Sequence, residues 1–154
     1  MIAKSLKGKE HIKLTGRTTN LNQYPIGTVA RISYGRKRAY FLAEADINEE
    51  GIPINTDASN IVLALVSLWD YLIEHGNQEY YSIPLLGTGR AGVGNLSRED
   101  IIKEIVLSFI MASKDKKITE NLIICIHPCD FEKIDWDEVC EYLTPELFLK
   151  GSIR

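Results

Sequence analysis

Two short apolar runs, separated by one segment with helical spacing, restrict the folds open to this chain more than any other feature. The runs cover residues 80–86 and 122–127, and each has the length of a strand with turn-forming residues beside it. The apolar residues of the segment between them are Ile101, Ile102, Ile105, Val106, Phe109 and Ile110. A strand, a helix and a second strand of this size are typical of parallel pairing through a right-handed crossover. The pattern predicts an α/β domain with both runs covered on both faces.

A hairpin and two further helices are predicted around this unit. Residues 28–34 and 38–45 are β-prone and are separated by Gly35-Arg36-Lys37, which favours a hairpin that adds strands to the sheet. A helix is expected from Ala58, and a last one from Asp135 to about Leu143. The predicted buried face of the first of these helices consists of Ile61, Leu65, Leu68, Trp69 and Leu72. The elements together predict a three-layer α/β arrangement.

Composition places the chain among ordinary globular domains. Its 154 residues are 45% hydrophobic, which is enough for one domain with its own core. The three cysteines, Cys125, Cys129 and Cys140, contain no CxxC pair, so we predict reduced thiols rather than a disulfide framework or a zinc site. No apolar run is long enough to span a membrane. We therefore expect a cytoplasmic protein without a membrane segment, a metal or a cofactor.

Basic residues are concentrated at the start of the chain. Residues 1–40 carry nine Lys or Arg residues and one acidic residue, whereas residues 41–154 carry nine Lys or Arg residues and twenty acidic residues. Residues 1–23 are also weakly patterned, so we expect a basic N-terminal arm or an irregular initial segment, with residues 24–154 forming the domain. Such an arm can contact the acidic remainder, stay solvated, or bind a polyanion. Its few aromatic residues argue against nucleic acid as the partner.

Glycine is concentrated between the first apolar run and the helix that follows, where it occupies four of the eight positions 87–94. Backbone without Cβ atoms can reach positive φ and present consecutive N–H groups to a ligand, and the following helix N-terminus adds partial positive charge. Phosphate binds at such places, whereas a crossover without a ligand needs only one or two glycines. The predicted ligand-binding residues here are Leu86, Gly87, Thr88, Gly89, Arg90, Ala91, Gly92, Val93, Gly94 and Asn95.

Two familiar phosphate-binding motifs do not fit this glycine loop. A Walker loop is excluded because no Gly-Lys-Ser/Thr follows. The letters Gly87-x-Gly89-x-x-Gly92 match a dinucleotide fingerprint, but the helix does not begin at the third glycine, which argues against redox use of NAD. Arg90 either supplements the loop or is a solvated tip residue. Asp46, at the end of the second hairpin strand, either lines the rim of the pocket or is an exposed loop acid.

An ordered series of short motifs resembles the macrodomains, and among them the macro-like domains of bacterial Thoeris anti-phage effectors. The motifs, spread over residues 24–127, are YPIGT at 24–28, YFLA at 40–43, LW at 68–69, IPLLGTG at 83–89 and LSF at 107–109. The resemblance implies a three-layer α/β/α fold with a mixed sheet and a pocket for ADP-ribose. It also implies that the segment from Gly87 to Asn95 wraps the diphosphate and the distal ribose.

The resemblance also frames the expected function. It predicts a domain that binds or senses ADP-ribose or a related NAD-derived nucleotide. A second copy of the chain is a further candidate partner, since Trp136 either packs on the sheet or covers an exposed patch that pairs with such a copy. One alternative is an ADP-ribosyl hydrolase or a nucleotide phosphoesterase. Another is an interaction module without a ligand. The family's first strand and first ligand loop have no recognisable counterpart in residues 1–23, so the sequence leaves the adenine side of the pocket unspecified.

Overall fold

Helices and strands alternate along the computed structural model, which describes residues 1–16, 20–76, 80–89, 92, 96–114 and 116–151. In chain order they are α1 Ile2–Ser5, β1 Ile12–Thr15, β2 Asn20–Gln23, β3 Val29–Tyr34, β4 Lys37–Leu42, β5 Asp46–Ile47, β6 Pro53–Ile54, α2 Ala58–His75, β7 Tyr80–Pro84, α3 Arg98–Ala112, β8 Asn121–Cys125, α4 Pro128–Phe131 and α5 Trp136–Gly151. The predicted α/β class is confirmed.

The predicted hairpin is formed by β3 and β4. The two strands are antiparallel, with Val29 opposite Leu42 and Tyr34 opposite Lys37. Only two residues connect them, and the first, Gly35, has a φ of 59°. A left-handed conformation at this position is what a two-residue hairpin turn requires, and glycine adopts it without steric cost.

Helix α2 begins where the change of periodicity predicts. Asp57 is its N-cap, since its carboxylate accepts the N–H of Asn60 at 3.1 Å. Hydrogen bonds from the Ser59 hydroxyl and from that N–H lower the pKa of Asp57. The five residues predicted for the buried face are all buried, so the apolar stripe correctly identified the side of the helix that meets the core.

The unit of strand, helix and parallel strand is also confirmed. Strand β7 pairs with β8 in parallel, with Tyr80 opposite Asn121 and Pro84 opposite Cys125, and α3 connects the two. A capping box formed by Ser97 and Asp100 begins α3. Residues of α2, α3, β7 and α5 share one hydrophobic core that includes Trp69, Ile83 and Ile105.

The burial of the two faces of this parallel strand pair differs from the prediction. Tyr81 and Ile83 are buried, but Tyr80 is 61% exposed and Ile123 on β8 is 46% exposed. The described strands form four separate pairs, β1 with β2, β3 with β4, β5 with β6 and β7 with β8, rather than one mixed sheet. The expectation that both faces are covered is wrong because the shared core takes only alternate residues of β7.

Residues 1–23 contain regular structure. Helix α1 contacts β3 through the Ser5 hydroxyl, which accepts the N–H of Arg31 at 2.9 Å. Strands β1 and β2 pair antiparallel, with Ile12 opposite Gln23. The segment expected to be an arm or irregular is therefore a short helix and a hairpin over its described part, while the domain boundary at residue 23 stays a prediction.

Gly27 fixes the turn before β3 against α2. Its N–H donates to the carbonyl of Ala43 at 2.8 Å, and its φ is 84°. A Cβ at this position would overlap the side chain of Ser67 on α2. Only glycine fits both the backbone conformation and the close approach.

No helix in the described ranges combines the length and the apolar character needed to cross a bilayer.

Candidate functional site

The glycine loop leaves β7 through a tight turn. Gly87 is buried and has a φ of 68°, so the positive φ expected in the loop occurs there and not at Gly89 or Gly92. The Thr88 hydroxyl donates to the carbonyl of Leu85 at 3.1 Å, and Leu86 is half-buried. The N–H of Gly92 donates to the carbonyl of Gly89 at 3.1 Å. The remaining predicted residues, Arg90, Ala91, Val93, Gly94 and Asn95, lie outside the described residues.

The loop amides differ in whether the protein already uses them. The N–H of Gly87 lies near the Glu44 carboxyl and partly offsets the rise in its pKa on burial, and the N–H of Gly92 bonds within the loop. The N–H groups of Thr88 and Gly89 have no partner among the described residues. A Cβ built on Gly89 would also meet none of their heavy atoms within 4 Å. Two consecutive donors with open space beside them are a suitable arrangement for an anionic group.

The N-terminus of α3 adds less positive charge than the sequence suggests. The Ser97 hydroxyl accepts the N–H of Asp100 at 3.0 Å, and the Asp100 carboxylate accepts the N–H of Ser97 at 3.2 Å. The N–H of Asp135 donates to Glu99 at 2.6 Å and lowers the pKa of that carboxyl, while Ser97 lowers the pKa of Asp100. Two ionised carboxylates in the first turn already offset the partial positive charge of the helix end.

A cavity of about 950 Å³ lies beside the loop, between β4 and β7. Its floor is formed by Leu68, Trp69 and Leu72 of α2. Leu86 and Glu44 lie at the end next to the glycine loop, and the basic residues 36–38 lie at the far end of β4. The volume is at the upper end of the usual range for small-molecule pockets.

Glu44 is the unexpected residue of this site. It follows β4, lines the cavity, and its Oε2 is buried without a hydrogen-bond partner among the described residues. Burial raises the pKa of this carboxyl, and the hydrogen bond from the N–H of Gly87 partly offsets that rise. The hydroxyl of Tyr40 on β4 is buried and unpartnered in the same way. The sequence signal for Glu44 was only its position directly after a β-prone run.

Asp46 occupies a different environment. Its Oδ1 accepts a hydrogen bond from Gln23 Nε2 at 2.7 Å, so it joins β5 to the N-terminal hairpin. It is half-buried and does not line the cavity beside the loop. A ligand role for Asp46 stays a prediction.

The segment before α2 also reaches the glycine loop. The hydroxyl of Thr56 donates to the carbonyl of Gly92 at 3.0 Å. Just before it, Asn55 has a φ of 51°, and its carbonyl accepts the side-chain amide of Asn60 at 2.8 Å. The sequence marks this stretch only as a polar loop, because its contact with Gly92 depends on tertiary structure.

His127, near the end of β8, has a structural role as a helix cap. His127 accepts the N–H of Cys129 through Nδ1 at 3.2 Å and caps α4. Cys125, Cys129 and Cys140 are exposed free thiols. Within the ranges that the structure describes, no cluster of three or more His, Cys, Asp or Glu side chains could hold a metal ion.

The burial of Glu44 predicts how stability depends on pH. We expect Glu44→Gln to raise the melting temperature at pH 7.5, because the amide keeps an acceptor for the Gly87 N–H and removes a poorly solvated charge. Since the pKa of Glu44 is raised on folding, the native state holds its proton at higher pH than the unfolded chain, and wild-type stability falls as pH rises through the folded pKa. The advantage of the variant should therefore shrink towards about pH 4.3, the ordinary pKa of Glu.

Thermal unfolding between pH 4 and pH 8 measures this effect, with Glu49→Gln, at an exposed loop position, as the matched control. A variant at position 44 that melts below wild type at pH 7.5 would contradict the prediction.

Comparison with known protein families gives one match. The family model of the macro domain of the Thoeris protein ThsA matches residues 1–127. The match begins at residue 1 and therefore includes α1 and the β1–β2 hairpin. No curated protein matches the chain.

Proposed function

Because the chain belongs to the macro domain family of the Thoeris protein ThsA, we propose that it binds ADP-ribose or a related NAD-derived nucleotide. The family match confirms the resemblance that the short sequence motifs indicated. Macro domains are associated with ADP-ribose-like ligands, and Thoeris with anti-phage defence. In this proposal the domain is a sensor of the nucleotide rather than a catalyst.

The proposal rests on the N–H groups of Thr88 and Gly89, which have no partner among the described residues, and on the space beside Gly89, where none of those residues has an atom within 4 Å of an added Cβ. A diphosphate has two negative charges, and charge-assisted hydrogen bonds from a fixed backbone hold such a group without a metal. The cavity between β4 and β7 opens next to these donors and can take the remainder of the nucleotide.

The ligand site that we propose keeps the whole predicted loop from Leu86 to Asn95 and adds Glu44 and Tyr40. The finer architecture is part of the same proposal: a three-layer fold with a mixed sheet. We also propose that the protein is cytoplasmic and that it associates with a second copy of itself.

Isothermal titration with ADP-ribose tests the proposal directly. We expect saturable binding to one site per chain, and binding of AMP at least about tenfold weaker, because the loss of one charge-assisted hydrogen bond costs about 1.5 kcal/mol or more. The absence of heat with ADP-ribose and with its cyclic and amino-acid-conjugated derivatives would exclude the proposed function.

Glu44 favours one alternative, an ADP-ribosyl hydrolase. A buried carboxyl with a raised pKa beside a ligand cavity is suited to general acid–base catalysis. Incubation with ADP-ribosylated protein and with ADP-ribose 1″-phosphate, followed by mass spectrometry, separates the two functions. Recovery of unchanged substrate from a domain that binds ADP-ribose supports the sensor.

A further inference from the structure

Glu44 lines the cavity beside the start of the glycine loop, and its Oε2 is buried without a hydrogen-bond partner among the described residues. Its carboxyl lies near the N–H of Gly87, which partly offsets the rise in its pKa on burial. Gly87 directly precedes Thr88 and Gly89, whose N–H groups have no partner in the described part of the chain. The carboxylate is an anion of the same kind as a phosphate oxygen. A diphosphate on these donors would therefore bring its charge next to that of Glu44.

Among the described residues that line the cavity, no cation lies next to Glu44 to offset such a repulsion. On β4 the cavity is lined by the basic residues 36–38 and by Tyr40, and on β7 by Tyr80 and Tyr81. The α2 residues that line it are apolar. Arg38 and Glu44 are six positions apart in nearly extended chain, which separates their Cα atoms by about 20 Å. The neighbouring acid, Asp46, is engaged with Gln23.

We infer that Glu44 competes with the ligand phosphate for the first amide of the glycine loop, and that binding of a nucleoside diphosphate sugar is coupled to uptake of one proton by Glu44. The inference rests on the proposed function. The proton comes from solvent and adds to the carboxylate, which removes the repulsion. The resulting O–H can then donate to a phosphate oxygen. Affinity for the diphosphate should consequently rise as pH falls.

Titration of ADP-ribose between pH 5.5 and pH 8 measures this coupling. The diphosphate of ADP-ribose is a diester and stays fully ionised over this range, so protons taken up belong to the protein. For wild type we expect the dissociation constant to rise with pH, approaching about tenfold per pH unit above the pKa of Glu44. Repeating the titration at pH 7 in two buffers of different ionisation enthalpy should give an uptake of up to one proton per ligand.

The variant Glu44→Gln should remove the coupling. We expect it to bind ADP-ribose with no pH dependence and no proton uptake, and about tenfold or more tightly than wild type at pH 8, since the neutral amide does not repel phosphate. Glu49→Gln, the same change at an exposed position, should behave as wild type. The proton uptake of the wild-type chain tests the inference without any variant.

Two results would overturn the inference while leaving the proposed function intact. One is ADP-ribose binding by wild type that is independent of pH and of buffer. The other is weaker binding by Glu44→Gln, which would make the carboxylate an acceptor for a ligand donor. If neither chain binds ADP-ribose at any pH, the proposed function fails and the inference fails with it.

Discussion

Valine at position 89 should abolish most ADP-ribose binding while leaving the protein folded. Gly89 is exposed and does not have positive φ, and an added Cβ would meet none of the described atoms within 4 Å. The Gly89→Val side chain would fill space beside the N–H groups of Thr88 and Gly89, which have no partner in the described ranges. Losing two charge-assisted hydrogen bonds of about 1.5 kcal/mol each weakens binding by about 100-fold or more.

Isothermal titration of Gly89→Val and of wild type measures the loss, and thermal unfolding of both checks the fold. Ala3→Val adds similar bulk to an exposed position of α1 and serves as the matched control. Position 87 is a poorer choice, since a residue with a side chain at a φ of 68° is strained and would alter the turn itself. Unchanged affinity in a folded Gly89→Val variant would place the ligand away from this loop.

Truncation of Trp69 to alanine should destabilise the domain by about 3–5 kcal/mol, the usual cost of removing a large buried aromatic side chain. Trp69 is 1% exposed, and its indole N–H donates to the Ser108 hydroxyl at 2.9 Å. Its ring meets that of Phe109 edge-on, with the centroids 5.3 Å apart. The change would leave a cavity between α2 and α3 and remove the donor to the Ser108 hydroxyl, which itself donates to the carbonyl of Ile105 at 3.2 Å.

Chemical denaturation of Trp69→Ala and of wild type gives this free energy. Val66→Ala on the same helix is the matched control, because Val66 is 46% exposed and its truncation should change stability by about 0.5 kcal/mol or less. Similar losses for the two variants would show that Trp69 does not contribute to the core as described.

Periodicity explains which parts of the fold the sequence predicts. Helix α2 could be located because its apolar residues recur along one face and Asp57 caps it, and both are local properties. The sequence does not predict which faces of β7 and β8 are buried, because Tyr80 and Ile123 belong to apolar runs and are still exposed. A short apolar run does not distinguish a strand buried on both faces from one buried on a single face.

The residues of the candidate site are likewise only partly predictable from the sequence. The glycine loop is visible in the composition, since glycines at this density change what the backbone can do. Glu44 and Asp46 lie two residues apart, yet one faces the loop amide and the other bonds to Gln23. This difference depends on how the chain after β4 meets β2 and the loop. It is a tertiary property, and single-sequence patterns do not contain it.

The hydrogen bond from Thr56 to Gly92 joins the start of the longest helix to the glycine loop. Helix α2 has 18 residues, a rod of about 27 Å. The same helix lines the cavity through Leu68 and Leu72, the latter one turn before its end at His75. The wall of the cavity and the loop beside it are therefore braced against each other by a single rigid element.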